Sequence, residues 1–126
     1  MKESIKSKIV DVIERFGNKT LLGLMEFPDI KEMSFGNLEW ELKKDGQDLN
    51  VIIITDVNKD FIVATKELID SDIIDMKATD ILNSTFDGKV YEIPVAESLR
   101  VYKVKHWLPM IIIKGKNFNN YRKPKS

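Results

Sequence analysis

The side chains best placed to do chemistry are gathered at the C-terminal end. Residues 99–126 hold Arg100, Lys103, Lys105, Lys114, Lys116, Arg122, Lys123 and Lys125 with no Asp or Glu, while residues 1–98 hold 12 basic and 20 acidic side chains. Tyr102, Trp107, Phe118 and Tyr121 are interleaved with these cations. Ammonium and guanidinium groups neutralise phosphates, and aromatic rings stack on bases. The same cations suit an acidic protein surface equally well. Read with a period of two, the stretch 99–107 places Lys103 and Lys105 on one face with Val101 and Trp107, and Tyr102, Val104 and His106 on the other. The residues expected to meet a partner are Arg100, Lys103, Lys105, Trp107, Lys114, Lys116, Tyr121, Arg122 and Lys123. His106 is the one histidine in the chain and has no sequence neighbours that complete a catalytic set, so it reads as a hydrogen-bonded side chain.

A second constellation is Pro28-Asp29 followed by Glu41-Leu42-Lys43. It resembles the PD-(D/E)-x-K nuclease pattern. The resemblance implies a helix–strand–strand–strand–helix–strand core, Mg²⁺ ligation by Asp29 and Glu41, a phosphate-polarising Lys43, and Glu14 completing the site. An acidic residue two before a lysine also occurs at Asp29-Ile30-Lys31, Asp75-Met76-Lys77 and Asp87-Gly88-Lys89. A third, the run from Asp56 to Glu67, looks like an EF-hand calcium loop with Asp56, Asn58, Asp60 and Glu67 as ligands. Phe61 stands where that loop turns on glycine. A tight connection between strands fits the same residues, and the sequence leaves both metal sites open.

Composition narrows the alternatives. The chain of 126 residues has no cysteine, which removes thiol nucleophiles, disulfides and thiolate metal sites. It lacks the glycine-rich phosphate loops and the serine-hydrolase and zincin motifs. No cofactor is implied. Hydrophobic residues make up 43% and charged residues 32%, which fits one globular domain. Charges break every apolar run near the N-terminus, and no run reaches the ~18 residues of a membrane span. A cytoplasmic protein without a membrane partner is expected.

The elements that must position these residues follow from periodicity. Ile5, Ile9, Val12, Ile13 and Phe16 share a helical face, so residues 2–16 form an amphipathic helix stopped by Gly17. Residues 20–27 read as a strand ended by Pro28. Residues 36–44 alternate, with Leu38, Trp40 and Leu42 inward. A turn at 45–48 leads to 49–55, whose β-branched run suits a central strand. Residues 56–60 connect to a short strand, 61–65. A helix is expected over 66–84, broken near Ala78-Thr79. Asp87-Gly88 is a turn before a hairpin of 89–95 with 99–107, and 110–115 is a last strand.

The expected fold is α+β, a mainly antiparallel sheet of about five to seven strands with an N-terminal amphipathic helix and one central helical segment. Residues 1–115 form the domain, and 116–126 a basic, flexible tail. The leading function is a non-catalytic binding protein that meets nucleic acid or an acidic protein surface through the basic C-terminal hairpin and tail. The alternatives are a Mg²⁺-dependent nuclease and a self-associating structural protein, whose basic segment meets the acidic 67–80 region of another copy.

Overall fold

The computed structural model describes residues 2–80 and 91–121. Helix α1, Lys2–Phe16, buries Ile5, Ile9, Val12 and Ile13 on its expected face, but Phe16, expected with them, is 59% exposed at the last turn. Gly17 ends it at φ +80°, its N–H reaching the Ile13 carbonyl at 3.0 Å.

The expected strand over 20–27 is replaced by a two-residue strand and two short helices. Strand β1 is Lys19–Thr20 and helix α2 is Leu21–Leu24. The Thr20 hydroxyl accepts the Gly23 N–H at 3.0 Å and so caps α2. Leu21, Leu22 and Leu24 are all buried, and an unbroken apolar run does not distinguish a short helix from a strand. Pro28 opens helix α3, Pro28–Ser34, because its fixed φ and missing N–H suit the first helical turn.

Strands β2, Phe35–Lys44, and β3, Gln47–Val57, form an antiparallel hairpin. Asp45 and Gly46, at φ 52° and 78°, give the tight turn its twist. Trp40 is buried as expected, but register shifts along β2 leave Leu38 exposed. Val51, Ile52, Ile53 and Ile54 are buried throughout, and β3 lies in the middle of its sheet.

The connection after β3 leads into helix α4, Lys59–Asp70, where a strand over 61–65 was expected. The Asn58 side chain accepts the Phe61 N–H at 2.9 Å, and Phe61, Ala64, Thr65 and Leu68 turn inward at helical spacing. β-Branched Ile62 and Val63 favour a strand locally, but the cap and the buried stripe prevail. Helix α4 ends at Ser71, and strand β4, Ile74–Ala78, takes the place of the second half of the expected helix. The helical residues expected at 81–84, the turn at 87–88 and the first residues of the hairpin, 89–90, lie outside the described residues.

No hairpin joins 91–95 to 99–107. Val95 bridges Trp107 in parallel, and strand β5, His106–Trp107, pairs in parallel with Val51 and Ile52 of β3. Strand β6, Met110–Lys114, follows directly and pairs antiparallel with β1 and β4. The fold is thus α+β, with four helices and two three-stranded sheets, β2-β3-β5 and β1-β6-β4, among the described residues. Leu108 donates to the Ile52 carbonyl at 2.9 Å, and the Thr79 N–H reaches Pro109 at 2.9 Å, so residues 108–109 join the sheets.

Packing continues past residue 115. The Gly115 N–H meets the Ile73 carbonyl, the Asn117 N–H meets Asp72 at 2.8 Å, and Phe118 of the 3₁₀ turn Phe118–Asn120 is buried. Arg122, Lys123 and Lys125 lie outside the described residues.

Candidate functional site

Residues 97–105 form a compact loop whose two ends are fastened to each other. The Ala96 N–H donates to Trp107 at 2.8 Å, and the Trp107 N–H to Pro94 at 2.8 Å. Inside the loop, Tyr102 is the anchor. Its N–H donates to Leu49 at 3.0 Å, and its carbonyl accepts from Asn50 Nδ2 at 2.7 Å. Its hydroxyl accepts the N–H groups of Glu97 and Ser98 at 3.1 and 3.3 Å and donates to the Ser98 carbonyl at 3.1 Å. The ring stacks on His106 at 3.8 Å, and the guanidinium of Arg100 lies 4.9 Å from its centroid. Arg100, together with N–H donors from Ser98 and Glu97, holds the Tyr102 phenol below its ordinary value against the opposing effect of burial.

Fixing Tyr102 inward turns its neighbours outward. Leu99, Val101 and Val104 are 52%, 50% and 61% exposed, and Arg100 and Lys103 are exposed beside them. Neither cation has an ion-pair partner among the described residues. Three exposed aliphatic side chains and two exposed cations thus share one loop tied down from within, Arg100 held against the Tyr102 ring and Lys103 facing solvent.

The other expected contact residues are placed differently. Trp107 is 1% exposed, its ring edge against Tyr91 at 5.0 Å, so it belongs to the core and its face is closed to a partner. Lys105 is bound to Glu39 at 2.6 Å, and that carboxylate raises its pKa. Lys116 pairs with Asp72 at 3.5 Å, Lys114 lies 5.0 Å from the Phe118 ring, and half-buried Tyr121 packs on the core. Arg122 and Lys123 lie outside the described residues. The alternation expected for 99–107 is lost with the strand: Lys103 and Lys105 no longer share a strand face, and Val104 points away from Tyr102. His106 keeps its expected role, with Nδ1 at 2.8 Å from the Val104 carbonyl.

The residues of the two metal patterns do not converge. Asp29 pairs with Lys8 at 3.2 Å at the start of α3, Glu41 and Lys43 are exposed on β2, and Glu14 is exposed on α1. In the calcium-like run, Asn58 caps α4 and Glu67 is held by Lys2 at 2.8 Å and Lys6 at 2.7 Å. No three His, Asp or Glu side chains among the described residues form a metal-holding group. No helix among them is long and apolar enough to cross a membrane.

Leu99 and Val104 carry no sequence signal of exposure, since a strand would have paired them. The nearest hint is Glu97-Ser98 ahead of an isolated leucine, a polar interruption typical of a loop. Set against known proteins, the chain matches no family model, no curated protein and no solved structure.

Proposed function

We propose that this is a non-catalytic interaction protein whose 97–105 loop docks on an acidic, partly apolar protein surface. The observation that carries the reading is the exposure of Leu99, Val101 and Val104 beside Arg100 and Lys103 on a loop fastened by Tyr102. Charge selects an acidic partner, and exposed aliphatic side chains favour a protein face over bases. Base stacking needs accessible aromatic rings, and here Tyr102 and Trp107 are turned into the core.

The reading is tested by fluorescence anisotropy with two labelled probes, a peptide alternating Glu or Asp with Leu and a single-stranded RNA of equal charge. The expected result is peptide binding that weakens with salt and is lost on both Leu99→Ser and Lys103→Glu, with RNA bound more weakly. Peptide binding unchanged by these substitutions, or tighter binding of RNA, overturns it.

A further inference from the structure

Among the described residues, cavities open on the surface away from the loop, and two of them are lined by charged side chains. The larger, of about 270 Å³, lies between the end of α1 and the start of α3. Its rim charges Lys8 and Asp29 already satisfy each other at 3.2 Å. The smaller, of about 150 Å³, sits where β3 ends against α2 and α3, and its charges are arranged otherwise.

Its floor is apolar, made by buried Leu22 and Met25, with the Phe35 ring 65% exposed at its side. Its polar wall is continuous. The Tyr91 hydroxyl accepts the Thr55 N–H at 2.8 Å and lies 3.2 Å from Thr55 Oγ1, which in turn donates to Asp56 Oδ2 at 3.3 Å. Burial pushes the Tyr91 phenol up. Asp56 adopts φ +60°, the left-handed region, at the next-to-last residue of β3. Lys31 lines the same cavity from α3. Lys31 and Asp56, both exposed to solvent, carry opposite charges and border one small space, and neither forms an ion pair with the other or with any other described residue.

We propose that this cavity binds a small zwitterion, a short α-amino acid, with its ammonium on Asp56, its carboxylate on Lys31 and its side chain on Leu22, Met25 and Phe35. A ligand bearing both charges fills the gap between the two protein charges and leaves neither unmatched. Size limits the side chain. A cavity of about 150 Å³ holds roughly a benzene-sized molecule, which admits alanine to valine and excludes the aromatic amino acids. So few ligand atoms imply dissociation constants of about 1 mM. The two adjacent hydroxyls, Thr55 and Tyr91, give the carboxylate or ammonium a further hydrogen bond on the wall.

The test is an amide ¹H–¹⁵N titration of the whole chain with alanine, valine and phenylalanine, each to about 10 mM. Shifts centred on Thr55 and Asp56 with alanine or valine, and not with phenylalanine, are expected. Asn adopts the left-handed region readily, so Asp56→Asn removes the charge and keeps the turn. Asp56→Asn and Lys31→Gln should each weaken binding about tenfold or more, as should capping the ligand as alaninamide or N-acetylalanine. Lys8→Gln, at the other cavity, should change nothing. Absence of shifts, equal binding of the capped ligands, or binding retained in Asp56→Asn overturns the proposal.

Discussion

Glu39 and Lys105, 66 positions apart in the chain, meet through carboxylate and ammonium at 2.6 Å. The contact explains how a chain with a basic end and an acidic remainder holds both. Lys105 and Lys116 are each returned to a carboxylate of the same molecule, Lys114 lies against the Phe118 ring, and Arg100 and Lys103 are left beside the exposed aliphatic side chains. Glu39→Gln should therefore lower the Lys105 pKa toward its ordinary 10.5, read by side-chain NMR titration. The pair is exposed, so the thermal midpoint should barely move. A Lys105 pKa unchanged by the substitution would refute the pairing.

Asn58 holds three elements at one point. Its Oδ1 caps α4, and its Nδ2 donates to the Met33 carbonyl at 2.7 Å and to Phe35 at 3.3 Å, which ties the end of α3 to the start of α4. Asn58→Ala should destabilise the fold by about 2 kcal/mol in urea unfolding. Asn58→Asp keeps the cap and loses the donors, so it should fall between Ala and the parent. Added calcium should leave all three midpoints where they are, because Glu67 is committed to Lys2 and Lys6.

That commitment gives stability a pH dependence. Hydrogen bonds from Lys2 and Lys6 lower the Glu67 pKa, and Glu67 in turn raises that of Lys6. A carboxylate with a depressed folded pKa contributes stability above its ordinary 4.5, and the contribution is lost as pH falls through the folded value. For Lys6 the contribution is present below 10.5 and is lost as pH rises through its raised value. Unfolding midpoints should hold level between these limits and fall outside them. Glu67→Gln should flatten the acid limb, and a limb as steep as the parent's would show that other carboxylates govern it.

How much of this was legible depended on how local the cause was. The α1 stripe from Ile5 to Ile13, a turn within the expected 45–48 and the β-branched run of β3 are decided within a few residues and were readable, whereas Gln47 and Asp48 join β3 and Phe16 lies outside the buried stripe. Helix α4 carries its signal too, in Asn58 and the spacing of Phe61, Ala64 and Leu68, but the adjacent Phe61-Ile62-Val63 speaks for a strand. Strand β4 alternates Ile74 and Met76 among acidic residues that equally fit a helix face, and only pairing with β6 settles it. The parallel contact of β5 with β3 joins residues 55 positions apart, Val51 with His106, and has no local signature. For the same reason, sequence located the cations without showing which ones a carboxylate would claim. The cavity of Lys31, Asp56 and Tyr91 draws on three distant segments and left no trace in any motif.

Gly115 marks a contact that spacing could not reveal. A Cβ there would collide with the backbone carbonyl of Asp72, where the segment after β6 crosses the turn between α4 and β4. Gly115→Ala should cost about 1–3 kcal/mol in urea unfolding, since a backbone neighbour cannot swing aside. At Gly46 an added Cβ meets nothing within 4 Å, and the only penalty is the left-handed φ of 78°, about 1 kcal/mol. The order of the two costs separates collision from conformational strain, and a costlier Gly46→Ala would contradict the close approach.

The hydroxyl of Tyr102 organises the candidate surface without belonging to it. Tyr102→Phe keeps the ring on His106 but leaves the Glu97 and Ser98 N–H groups without their acceptor. Those two amides should exchange with solvent faster, while amides of β3 stay protected. Binding to an acidic, partly apolar peptide should weaken although Leu99, Val101, Val104, Arg100 and Lys103 are untouched, because a loosened loop must be ordered again on docking. In an alkaline absorbance titration of the parent, Tyr102 should ionise before Tyr91: the Arg100 guanidinium favours the phenolate of the first, and burial disfavours that of the second. Arg100→Gln should raise the earlier transition and leave the later one in place. Faster exchange with unchanged peptide affinity would show that loop order and docking are separate properties, and it would move the contact away from residues 97–105.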